Sequence, residues 1–265
     1  MLRNQVSAVW KYRGFIVATI KRDFEVRYLN SALGALWSVI NPLALISIYT
    51  LVFSQIMSAR LPYFEGTYAY SIHLCTGIIL WSLFSDITVK AQAVFLEHAN
   101  LIKKMSFPRI CLPIVVVGNG LINFAIISAL FAAVLALVGA LPGIQALALV
   151  PIAGLTAWFA IALGVSLGIL NVFFRDVGHF FSVVLQFWFW LTPIVYPVSI
   201  LPPRAESFMM FNPLAGLIVA ARDVLLTGDW PDWRSLWVIA ALALLLSIIA
   251  VRLYLRHGAE MQDEL

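Results

Sequence analysis

Apolar residues in this chain come in long blocks, not in the alternating or one-faced patterns of a water-soluble fold. No formal charge stands between Arg27 and Arg60, between Glu65 and Asp86, or between Asp176 and Arg204, and the 65 residues from Ile110 to Phe174 are uncharged throughout. A helix needs about 20 apolar residues to cross about 30 Å of hydrocarbon. Each of the first three blocks holds one crossing, and the 65-residue block holds two, joined at the turn Leu141-Pro142-Gly143. The 17 residues between Arg234 and Arg252 hold a short last one, with Trp230, Trp233 and Trp237 at one headgroup boundary and Arg252 and Arg256 reaching the other along their stems. The pattern predicts six helices, over about 33–57, 67–89, 110–138, 146–173, 178–200 and 235–251.

Two further segments are apolar without being long enough to cross. Ser207 to Ala221 is 15 residues, contains Pro213 and Gly216, and runs straight into Arg222 and Asp223. Residues 207–225 therefore read as short re-entrant or interfacial helices before the last span, shielded by protein or water. Ahead of the first span, in residues 1–30, Val6, Val9, Trp10, Phe15, Val17 and Ile20 alternate with polar and basic neighbours. That predicts an amphipathic helix lying in the cytoplasmic interface, with an irregular basic tail as the alternative.

Composition agrees with the pattern. Of 265 residues 62% are apolar and 11% charged, with a mean hydropathy of +0.95, so the chain cannot dress a water-soluble surface; a soluble enzyme or nucleic-acid binder is excluded. The net charge of +4 is explained by topology. Thirteen of the 17 basic residues fall before the first span, in the connection between the second and third, at Arg175, or after the last span, while Arg60, Arg204, Arg222 and Arg234 fall on the opposite side. The bias predicts cytoplasmic termini, and the amino terminus lacks the apolar core of a cleavable signal. Cys75 and Cys111 lie in apolar blocks without CxxC spacing and read as packing residues.

The expected spans are nearly bare of reactive groups. Asp86, four residues before Lys90, fits an i,i+4 pair. His73, His98, His179 and His257 stand far apart without metal-ligand spacing, and no GxxxxGK[ST] loop exists to hold nucleotide phosphates. If ATP drives this protein, another subunit binds it. The connection from Glu97 to Arg109 reads as a short helix, with lysines near its end to suit the helix dipole and Pro108 to stop it. It is either a solvated basic loop or a knob for a cytoplasmic partner.

Several motifs then occur in order. Ile20-Lys21-Arg22-Asp23-Phe24-Glu25-Val26-Arg27-Tyr28 is followed by Leu33-Gly34-Ala35-Leu36-Trp37 and Asn41-Pro42-Leu43. Asn100-Leu101-Ile102-Lys103-Lys104 precedes Phe107-Pro108-Arg109 and Leu112-Pro113. Phe174-Arg175-Asp176-Val177, Thr192-Pro193-Ile194-Val195-Tyr196-Pro197 and Asn212-Pro213-Leu214 complete the series. Together they resemble the permeases of ABC-2 type exporters, and within these the subfamily that exports lipid-linked polysaccharides such as O-antigen, capsule and teichoic acid.

The resemblance implies an all-α integral membrane protein with six transmembrane helices, an amino-terminal amphipathic helix and short re-entrant helices before the last span. It further implies a homodimer in a bacterial inner membrane, carrying two cytoplasmic ATPase subunits that hold ATP and magnesium, with no cofactor in this chain. The coupling segment would comprise Glu97, His98, Asn100, Leu101, Lys103 and Lys104. Aromatic faces attract sugar C–H groups without fixing any one sugar, which makes Trp37, Tyr49, Trp81, Phe84, Phe187, Trp188, Trp190 and Tyr196 candidates for a translocation path. A helix spreads neighbours around its axis, so not all of these can face one channel. Arg22 and Arg27 are candidates for a phosphate-bearing lipid headgroup, with ordinary anchoring to anionic lipid as the alternative. Gly164 and Gly168 permit close helix contact between subunits or within one. Export of a small hydrophobic compound, or a membrane-embedded glycolipid transferase, are the competing functions.

Overall fold

A computed structural model describes residues 9–26, 36–56, 68–104, 108–198, 202, 204, 209, 211–258 and 260–265. Among them every regular element is helical. We number the helices α1 (Arg13–Val26), α2 (Trp37–Ile56), α3 (Ala69–Glu97), α4 (Ala99–Lys104), α5 (Cys111–Leu137), α6 (Leu149–Phe173), α7 (Asp176–Leu191), α8 (Pro213–Arg222), α9 (Trp237–His257) and α10 (Met261–Glu264). A 3-10 turn, Ile144–Ala148, leads into α6, and a π turn, Asp223–Thr227, continues α8.

Among the described residues four helical stretches are long and apolar enough to cross a membrane: Ala69–Glu97, Cys111–Leu137, Ile144–Phe173 and Trp237–His257. The other two expected spans are occupied by α2, with 20 residues, and α7, with 16. At 1.5 Å per residue α7 extends only about 24 Å. Its helix stops at Leu191, not near 200, because Thr192 precedes Pro193 and takes up an extended backbone. The irregular chain that follows is covered by protein, with Thr192 and Ile194 buried.

Helix α3 is the hub. It packs most extensively on α6 and also touches α5, α2, α8 and α7. In hydrocarbon this association rests on close van der Waals contact, which small residues permit. A Cβ on Gly164 would fall 2.7 Å from that of Ala91, and one on Gly168 would fall 2.6 Å from the Ala91 carbonyl oxygen. The glycine pair thus seats α6 on α3 of the same chain. Four buried hydroxyls are satisfied locally: Thr76, Thr88, Thr156 and Ser166 each donate to the carbonyl four residues back, at 2.6 to 2.8 Å.

Helix α1 lies against the first half of α5. Ile16 joins Cys111 and Val115 in a small core, Ile20 abuts Gly118, and Asn119 donates to the Asp23 carboxylate at 2.9 Å. Its outer face keeps Val17 and Val26 exposed, and Arg13 lies over the Trp10 ring at 4.8 Å. Cys75 and Cys111 are both buried and free. Lys90 meets Asp86 at 2.6 Å as an i,i+4 pair.

Candidate functional site

The two ends of α3 define two polar regions, separated by the length of a 29-residue helix, about 43 Å. At the end that finishes with Glu97, His98 breaks the helix and its ring nitrogen bonds to the Val94 carbonyl at 3.0 Å. Six residues of helix α4 follow. Ile102 is buried in the main core and Leu101 packs on that core, whereas Glu97, Asn100 and Lys103 face outward. The Lys104 side chain lies outside the described residues. One apolar face thus roots a small helix whose other face is charged. Arg109, just beyond, donates to the Gly258 carbonyl at the end of α9.

The opposite end is knotted around a buried cation. Arg222, at the end of α8, is only 5% exposed. Its guanidinium donates to three backbone carbonyls: His73 in α3 at 3.1 Å, Pro193 at 2.7 Å and Ile194 at 2.8 Å. The notch that admits it is Gly77, where a Cβ would lie 2.9 Å from the guanidinium. Tyr70 donates to the Val195 carbonyl at 2.7 Å, closing the same loop onto α3. Asn212 supplies a second tie. As N-cap of α8 it accepts from the Leu214 amide at 3.1 Å and from the Trp188 indole at 3.0 Å, and it donates to Thr192 at 3.0 Å. Proline at the first helical position starts α8 without losing a bond. The irregular backbone that hydrocarbon would penalise is therefore clamped to α3 and α7 by side chains.

Charge counting places Arg222 on the side opposite the termini, at the end of the re-entrant segment; the structure shows that it is buried there. One sequence signal could have found it: an arginine directly ending an apolar stretch too short to cross.

The aromatic candidates separate into two environments. Phe84 is 0% exposed, stacked on Phe159 with centroids 5.7 Å apart and met edge-on by Trp188 at 5.2 Å. Trp81 packs on Phe84 and on Phe189. These rings belong to the core of one chain, with Trp188 half-buried at its margin, beside a cavity of about 600 Å³ between α6 and α7. Phe187 and Trp190, by contrast, are 67% and 63% exposed. With Phe180 and Val183 they form one stripe, because the spacings of three, four and three residues keep to one helical face. Tyr196 folds back, donating to the Trp190 carbonyl at 2.9 Å. Trp37 is exposed at the start of α2. The Tyr49 side chain and Arg27 lie outside the described residues, and Arg22 is exposed on α1.

Residues 15–226 match the family described as ABC-2 type transporter. An O-antigen export system permease protein RfbA of Klebsiella pneumoniae is 30% identical across 80% of this chain and 80% of its own length. A protein of the same name from Myxococcus xanthus is 26% identical across 98% of both chains. The polysialic acid transport protein KpsM of Escherichia coli is 22% identical across 90% of this chain and 92% of its own.

Proposed function

The chain belongs to the ABC-2 type transporter family, among its polysaccharide-export permeases, and on that premise we propose that it is the membrane subunit of an ATP-driven exporter. Its cargo is a lipid-linked polysaccharide of the O-antigen kind, carried from the cytoplasm across the bacterial inner membrane. Two copies form the permease, both termini are cytoplasmic, and two separate ATPase subunits bind ATP and magnesium and hydrolyse the ATP.

The observation that carries this reading is the outward stripe of α7. Phe180, Phe187 and Trp190 cover one face of a thinly packed helix with rings that touch little of their own chain. Such a face suits a partner copy and a sliding sugar chain together, since it offers π faces to C–H groups without fixed hydrogen bonds. Tyr196, bonded to the Trp190 carbonyl, continues it at the end of α7, Trp37 offers a separate exposed ring on α2, and Trp81, Phe84 and Trp188 form the shell that holds α7 in place.

Energy enters at the other end. Movement of α4 is passed to α3 through Ile102 and to the end of α9 through Arg109, and the two states must differ in their contacts for any work to be transmitted. Arg22, exposed on α1, is positioned to meet a phosphate-bearing headgroup, and Arg27 is kept as a candidate on sequence alone.

Loss of the chain in its host should trap completed lipid-linked polymer on the cytoplasmic side while synthesis continues. Transport by the purified chain alone, without a nucleotide-hydrolysing subunit, would overturn the ATP-driven reading. Normal polymer export with loss of drug efflux would instead support a small hydrophobic cargo.

A further inference from the structure

A cavity of about 310 Å³ opens among α3, α5, the α5–α6 connection and the segment carrying Arg222. It lies beside the end of α3 that holds the Arg222 knot, since Thr76, Ile79 and Leu80 form its inner wall. Phe131 and Leu135 of α5 form another, and Ala221 and Leu225, which flank Arg222, form the third. Water cannot fill it. A buried water needs two to four polar partners, and the two hydroxyls in the lining are Thr76, already donating to the Ile72 carbonyl at 2.6 Å, and Ser128. Left empty, the cavity would strip its walls of dispersion contacts. Its mouth is bordered by Leu141 and Val150, 59% and 71% exposed, and these continue the apolar surface of α5 and α6 that faces lipid.

We propose that this cavity is a binding site for one acyl chain of a bilayer phospholipid, and that the bound chain braces the segment bearing Arg222. The occupant enters sideways from the bilayer, because the mouth is continuous with the lipid-facing surface and the two hydroxyls of the lining, Thr76 and Ser128, are too few to hold a sugar or a headgroup. Contact with Ala221 and Leu225 then presses Arg222 toward the carbonyls of His73, Pro193 and Ile194. The site stands whatever cargo the protein moves.

The test uses the full chain in vesicles of phosphatidylethanolamine and phosphatidylglycerol, with a trace of phosphatidylethanolamine carrying a diazirine near the end of one acyl chain. After illumination, adducts are mapped by mass spectrometry. Several-fold denser labelling of Phe131, Leu135 and Leu225 than of Leu244, Leu245 and Ile248 on α9 is expected; equal labelling overturns the site. Ala132→Trp, which fills the cavity, should lower the Leu225 adduct several-fold and leave α9 labelling unchanged. Should that variant not fold, Val150→Trp at the mouth serves the same purpose. An unchanged Leu225 adduct in the folded variant overturns the proposal, as does displacement of the label by a polyprenyl phosphate added to the vesicles, which would assign the cavity to an isoprenoid chain.

Discussion

Helices α3 and α7 are both rich in aromatic residues, and they use them in opposite ways. Phe84 of α3 is enclosed by Phe159 and Trp188, while Phe187 of α7 leaves two-thirds of its surface open. The difference comes from neighbours, not from residue type. Small residues on α3 and α6 let α3 sink among five other helices, whereas α7 leans on its chain along one edge and ends early at Thr192-Pro193. Aromatic content alone therefore does not mark a path; the stripe left uncovered does.

The strongest test removes the side chain that joins the two regions. Arg222 reaches α3 through His73 and the chain leaving α7 through Pro193 and Ile194. Arg222→Ala should leave the buried Pro193 and Ile194 carbonyls unpaired, at about 1–3 kcal/mol each, while the His73 carbonyl keeps its bond within α3, and should lower the melting temperature in detergent by the largest margin of any substitution considered. A melting curve that does not move would show that α8 is held by apolar packing alone.

Phe84→Ala comes next. Truncating a fully buried ring costs about 3–5 kcal/mol, so the variant should melt earlier and yield less folded protein. Wild-type stability would place Phe84 on an open surface and erase the contrast with α7.

Phe187→Ala and Trp190→Ala should do the reverse. Exposed positions change stability by within about 0.5 kcal/mol, so melting should be unaffected while polymer export falls several-fold. Full export by the double variant would remove the stripe from the path. The smallest structural effect is expected at Lys103→Glu, on the outward face of α4: no change in melting, and several-fold less ATPase recovered with the purified permease. Undiminished recovery would take Lys103 out of the docking surface.

Much of this was legible without coordinates. Charge-free blocks announce helices in hydrocarbon, since nothing else satisfies the backbone there, and the i,i+4 spacing of Asp86 and Lys90 announced their pair. The order of short motifs pointed to the family. What sequence left open was direction. Seven aromatics from Phe180 to Tyr196 look alike in a string, and only packing separates Trp188, bonded to Asn212, from Trp190, facing outward. Gly164 and Gly168 suited a contact within the chain or between chains, and the fit against Ala91 decided for the former.

Arg222 is the clearest case of what one dimension conceals. An arginine after an apolar stretch suggests a boundary residue seeking water, because burying an unpaired cation is costly. Composition and the charge-free blocks determined that the chain is a helical membrane protein, because those depend on local hydrophobicity and on hydrogen bonds closed within each helix. The cation's burial depended on a glycine notch at position 77 and on carbonyls more than 25 residues away along the chain. Only the folded arrangement brings those groups together, since each is ordinary by itself and the stabilisation exists only in their convergence.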